Sequence, residues 1–185
     1  KMVPNVFPTR PDIDIYASMI PAKEMCGDLY DFFVRNDQLY FCIGDVTGKG
    51  VPAALFMTVT KNLFRAYASN ESTPDYIVSQ MNHNLTEDNK SHMFVTLFVG
   101  ILDLTSGLLR YCNAGHEDPI IVNRETRLLP INRIFPVGAV AGTPYQTQAI
   151  VMEPQTTIFL YTDGVTEAMT AGKKMFGREQ IIDEI

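Results

Sequence analysis

Residues 94–102, Phe-Val-Thr-Leu-Phe-Val-Gly-Ile-Leu, are apolar at odd and even positions alike, and so is Ile-Phe-Leu-Tyr at 158–161. Their length and their aromatic and β-branched content read as strands. A strand apolar on both faces has to be covered on both. The links between such runs are short: Arg35-Asn36-Asp37 joins 29–34 to 38–44, and Thr105-Ser106-Gly107 joins 94–102 to 108–112. Hairpin-length links impose antiparallel pairing. Antiparallel strands buried on both faces call for two stacked sheets with helices packed outside, an α+β grouping rather than alternating βαβ. Shorter strands are expected at 119–122 and 146–151. The alternation of Ile13, Ile15 and Ala17 predicts a half-buried strand over 12–19.

After Gly50 the period changes. Pro52, Leu55, Phe56, Val59, Leu63, Ala66 and Tyr67 recur at helical spacing, which predicts a helix over 51–69 with proline in its first turn. Thr73 and Pro74 start a second helix whose apolar stripe is Ile77, Met81 and Leu85. A last helix is expected from near Gly177 to the end. Segment 130–144, rich in Gly and Pro, reads as a long functional loop rather than a boundary. The 185 residues therefore read as one domain.

Composition excludes several function classes. With 46% hydrophobic and 19% charged residues, the chain is not of the disordered type. A net charge of −6 and no basic cluster argue against nucleic-acid binding. No apolar run approaches the roughly 18 residues of a bilayer span, and residues 1–10 lack the apolar core of a secretory signal, so no membrane contact is expected from this segment. Cys26, Cys42 and Cys112 form no CxxC pair, which fits a reducing, cytoplasmic compartment and no zinc ribbon.

Three stretches place an acid beside glycine where an apolar run ends: Gly27-Asp28, Gly44-Asp45 and Asp163-Gly164. Strand ends hold side chains rigidly while leaving them open to solvent. Carboxylates gathered from separate strands repel one another unless a cation sits among them, and Mg²⁺ and Mn²⁺ prefer such oxygen ligands. A single Asp-Gly is ordinarily just a turn; three after three apolar runs point to chemistry. A nucleotide phosphate loop is excluded, because Gly44 to Gly48 is one residue too short and Lys49 is followed by Gly50 rather than a hydroxyl.

Four ordered motifs carry a family resemblance: Cys26-Gly-Asp-Leu-Tyr-Asp-Phe-Phe33, Ile43-Gly-Asp-Val-Thr-Gly-Lys-Gly-Val-Pro-Ala-Ala-Leu55, Asn113-Ala-Gly-His116 and Leu160-Tyr-Thr-Asp-Gly-Val-Thr-Glu-Ala168. Together they resemble the signature of the SpoIIE-like bacterial serine/threonine phosphatases, within the protein phosphatase 2C superfamily. The resemblance implies a four-layer αββα sandwich and two Mn²⁺ or Mg²⁺ ions at one end of it. It implies Asp45 as the bridging carboxylate, the Val46 carbonyl as a ligand, and Asp28 and Asp163 as the remaining acids. These would be the catalytic set, with water activated by two metals attacking a phosphoserine or phosphothreonine and no protein nucleophile. The implied partner is a phosphorylated STAS-type anti-sigma-factor antagonist, and a homodimer is compatible. The alternative is a non-catalytic module that keeps the fold and binds a partner.

The chain departs from the family pattern at Cys26, where many members have Gly, and in stopping at Ile185 before the expected Asp-Asp-x-Thr metal ligand on a final strand. A phosphatase domain spanning 1–185, cut short at its C-terminus and preceded by a sensor domain, is the expectation. Cys26 reads as a small buried hydrophobe. His116 is open to contacting substrate, acting as an acid, or making a structural hydrogen bond, the reading preferred here. Asp31 and Glu167 read either as groups behind the metal ligands or as solvated acids. Lys49 reads as an exposed loop lysine.

Overall fold

The computed structural model describes residues 4, 6–20, 27–68, 72–87, 89–169 and 175–185. A hairpin of β1 (Leu29–Arg35) and β2 (Gln38–Val46) opens the fold, followed by α1 (Val51–Tyr67) and α2 (Pro74–Thr86). Then come β3 (Val95–Asp103), β4 (Leu108–Ala114), β5 (Ile120–Val122), β6 (Thr126–Leu128), β7 (Gln148–Val151) and β8 (Thr157–Phe159). Short α3 (Asp163–Thr166) and α4 (Gly177–Glu184) close it. One antiparallel sheet has the order β1-β2-β3-β4-β7 and the other β6-β5-β8.

The pleat sorts the apolar residues into three layers. From β2 and β3, Tyr40, Cys42, Leu97, Val99 and Ile101 face α1 and α2, where they meet Met57, Phe64, Ile77 and Met81. Leu39, Phe41, Phe98 and Tyr111 point the other way, toward Ile121 and Ile158 of the small sheet. On the far side of that sheet, Ile120 and Tyr161 pack on Ile181 of α4. Helices, sheet, sheet, helix is the expected four-layer order, and strands apolar on both faces are what the two inner layers need.

Local chemistry explains the hairpins. Asn36 and Asp37 both take positive φ, 48° and 55°, the geometry of a two-residue turn matched to strand twist. At the β3–β4 turn the Asp103 carboxylate accepts from the amides of Thr105 and Ser106. Helix α1 is tied to β1 by Arg65, whose Nε and Nη2 each donate to the buried Asp31 carboxylate at 2.6 Å, with the guanidinium 4.5 Å over the Phe33 ring.

Some expectations need correction. Residues 12–19 form no strand; among the described residues their end of the chain makes only an isolated bridge, Arg10 to Ile13. Ile13, Ile15 and Ala17 still pack on the inter-sheet layer, so the alternation is satisfied by side-chain burial without a ladder. Strand β6 was not expected because all three of its residues are exposed and carry no apolar face. Loop 130–144 is strapped to β3 and α2. Val137 exchanges backbone hydrogen bonds with Val95, while Asn82 of α2 accepts from the Gly138 amide and donates to the Val140 carbonyl. No helix among the described residues is long and apolar enough to cross a membrane.

Candidate metal centre

The hairpin turn at Asn36 and Asp37 sets the register Leu29↔Gly44, so the chain positions of Asp28 and Asp45 fall together at the opposite end of β1 and β2. Asp45 is half-buried and stands on the inter-sheet face, directly across from Thr96 of β3. From the other sheet, β8 leads into Thr162 and then Asp163, the first residue of α3. Thr162 Oγ1 donates to Asp28 Oδ2 at 3.2 Å and closes the gap between the sheets. A cleft of about 2490 Å³ opens here, with Asp28, Asp45, Lys49 and Asp163 on its walls.

Glycine at 27 is required by crowding. A Cβ on Gly27 would lie 2.7 Å from the Val46 carbonyl oxygen and 3.4 Å from Asp45 Oδ1. The two oxygens therefore face a space that any side chain would fill, and the Val46 amide donates to the Gly27 carbonyl at 3.3 Å across its base.

Electrostatics mark the same spot. Burial pushes the Asp45 carboxyl up to about 7, helped by its hydrogen bond to Asp28 and by the charges of Asp28 and Asp163. Asp163 is raised as well, first by burial and then by Glu167, Asp28 and Glu117. Acids held together against their own repulsion are a seat for a hard cation, which replaces the shared proton and repels none of them. Asp45, Asp28 and the Val46 carbonyl supply oxygen donors around the open space at Gly27, a set that fits Mg²⁺ or Mn²⁺. Asp163 stands further off: among the described residues no three of His, Cys, Asp and Glu converge tightly enough to cage an ion unaided.

The remaining candidates separate. Asp31 is neither a metal-side group nor solvated; it faces α1, is fully buried and is taken up by Arg65. Glu167 is exposed, with its amide donating to the Asp163 carbonyl at 2.7 Å. Lys49 is an exposed loop residue, as read from the sequence. Cys26 lies outside the described residues. His116 is 3% exposed and makes a structural hydrogen bond, Nδ1 to Thr96 Oγ1 at 3.0 Å. Sequence reasoning passed over Gly27 as a cradle, Thr162 as the link to Asp28, and Thr96. Gly27 and Thr162 lie inside recognisable motifs, but Thr96 is one hydroxyl in an apolar strand and only the β2–β3 register reveals it.

Protein IcfG of Synechocystis is 30% identical over 212 residues, covering 99% of this chain and 33% of that protein. Phosphoserine phosphatase RsbU of Bacillus subtilis is 29% identical over 170 residues, covering 88% of this chain and 49% of RsbU. The chain thus spans a third to a half of the curated relatives it matches. Among solved structures, the RsbU and RsbW domains of a Mycobacterium tuberculosis protein superpose with a TM-score of 0.75 at 27% identity, over 89% of this chain and 46% of that one. The SiaA-PP2C domain of Pseudomonas aeruginosa gives 0.74 at 19% identity, over 85% and 64%, a likeness of fold. Residues 35–185 match the family described as stage II sporulation protein E (SpoIIE), and the chain belongs to that family.

Proposed function

We propose that this chain is the catalytic domain of a metal-dependent phosphatase acting on phosphoserine or phosphothreonine in a regulatory protein. The observation that carries the reading is the Asp28–Asp45 contact beside the Gly27 cradle, where the Asp45 carboxyl is raised in pKa and its Oδ1 and the Val46 carbonyl oxygen face open space. Asp45 and the Val46 carbonyl would hold Mn²⁺ or Mg²⁺, with Asp28 against the same ions. When bound, a divalent pair supplies an activated water and neutralises the phosphoryl oxygens. Thr162 holds Asp28 in one orientation, and Asp163 extends the acidic wall to the other sheet. Lys49, exposed on the same cleft, favours approach of a dianion.

The matches to a phosphoserine phosphatase and to a structure that joins RsbU and RsbW domains support a role in partner switching, and the substrate proposed within it, from the family resemblance, is a phosphorylated STAS-type anti-sigma-factor antagonist. The open edge of β8 and the wide cleft beside it support a further strand, bearing one more metal ligand, in the whole protein. An N-terminal sensor, a homodimer and a cytoplasmic location complete the proposal.

The decisive experiment measures phosphate release from a phosphorylated antagonist by the whole protein with Mn²⁺. Activity that survives EDTA, or survives Asp45→Asn, sinks the mechanism. A second reading, a regulatory module without hydrolysis, is favoured by the separation of Asp163 from the acid pair. Titration calorimetry with Mn²⁺ separates the two, since the module would take up no ion.

A further inference from the structure

His116 is the motif residue that the proposed chemistry leaves unused. Its ring is buried, so it does not reach a substrate in the cleft. It is nevertheless held in place with care. The His116 amide donates to Asn113 Oδ1 at 2.7 Å, and Asn113 Nδ2 donates back to the His116 carbonyl at 3.1 Å. Between them Gly115 turns at φ 72°, which aims the imidazole along the sheet toward β3.

There it meets Thr96, whose Oγ1 has three neighbours: the Asp45 amide at 3.3 Å, the Asp45 carbonyl at 3.4 Å and His116 Nδ1 at 3.0 Å. A hydroxyl has one proton to give. The nearest acceptor is His116 Nδ1, so the Asp45 N–H donates to Thr96 and Thr96 donates to a neutral imidazole protonated on Nε2. Burial holds the His116 pKa down to about 4, against the nearby Tyr161 backbone and the Asp28 charge, which keeps the ring neutral and leaves one of its nitrogens free to accept. Nε2 is buried and makes no hydrogen bond of good geometry among the described residues, although the Tyr161 backbone acts on the ring; a buried polar atom left so costs stability.

We propose that Thr96 and His116 are positioning residues: a one-way hydrogen-bond relay from His116 through Thr96 fixes the backbone at Asp45, and with it the Asp45 carboxylate and the adjoining Val46 carbonyl, in the orientation a divalent cation requires. The inference rests on the metal-site reading above. Groups that orient metal ligands from behind are worth about ten- to a hundredfold in ion affinity.

The test uses shape-matched variants of the phosphatase-bearing protein. Thr96→Val keeps the volume and loses the hydroxyl, while Thr96→Ser keeps the hydroxyl. Calorimetry should show Mn²⁺ affinity about tenfold weaker in Thr96→Val and within about threefold of wild type in Thr96→Ser. The Thr96→Val/His116→Ala double variant should lose no more than the worse single variant, because both cut one relay. Equal affinity in Thr96→Val and wild type, no rescue by Thr96→Ser, or additive losses overturns the proposal. A metal-free arm reads the relay by NMR: His116 protonated on Nε2 alone, and Asp45 amide exchange faster by about tenfold in Thr96→Val but not in Thr96→Ser. If wild type takes up no Mn²⁺, the metal reading fails, and this arm still decides the relay. Unchanged Asp45 exchange, or an Nδ1-protonated ring, refutes it.

Discussion

In the metal-free fold Asp45 carries an electrostatic cost that the proposed cation would remove. Its folded pKa, about 7, is raised above the ordinary 3.8, so the metal-free fold binds a proton that the unfolded chain has already released in between. The stabilising protonated form is fully present below the unfolded value and is lost as pH rises through about 7. In EDTA the melting temperature of wild type should fall between pH 5 and 8 relative to Asp45→Asn. Solvent screens a half-buried site, so the difference at pH 8 should be about 1 kcal/mol, or roughly 2–4 °C by calorimetry. A flat difference would mean that neither burial nor the neighbouring Asp28 burdens the Asp45 carboxylate. Gly27→Ala is the complementary change: its methyl enters the space faced by the Val46 oxygen, and Mn²⁺ affinity should drop about tenfold by calorimetry. The three acids were legible in the sequence because each lies beside glycine at one end of an apolar run, Asp28 before one and Asp45 and Asp163 after theirs. Thr96 was not, since a hydroxyl inside a strand has no periodic signature and acquires meaning only from the residue across the ladder.

Helix α1 is anchored to the hairpin that carries both acids through Arg65 and Asp31. Arg65→Met strands a carboxylate with no exposed side-chain surface, so urea unfolding should show a loss of about 3 kcal/mol. A loss under about 1 kcal/mol would show that water reaches Asp31 and that the pair is ornamental to stability. Nothing in the spacing of Asp31 and Arg65 foretold their contact, because it spans strand and helix rather than one element. The helices themselves were readable: Ile77, Met81 and Leu85 are buried as their period required. Segment 12–19 shows the limit of the same rule. Alternation specifies which side chains are buried, whereas a strand also needs a neighbouring backbone to bond.

Across the whole molecule, the order of layers followed from runs apolar on both faces, since only stacked sheets with outer helices bury every such face. The relative placement of Asp28, Asp45 and Asp163 needed the sheets themselves. The proposed cation seat on the shared cleft predicts a ligand-dependent melt: Mn²⁺ at a hundred times its dissociation constant should stabilise by about 2.7 kcal/mol, raising the melting temperature by about 5–10 °C over EDTA. No shift would refute the proposed cation site. The bond from Thr162 to Asp28 joins residues 134 positions apart. On a ribosome, Asp28 and Asp45 emerge long before Thr162, so the acid pair waits through most of translation without the hydroxyl that orients it. A half-made chain therefore has an unfinished site: the proposed metal centre is completed only when Thr162 and the second sheet are in place.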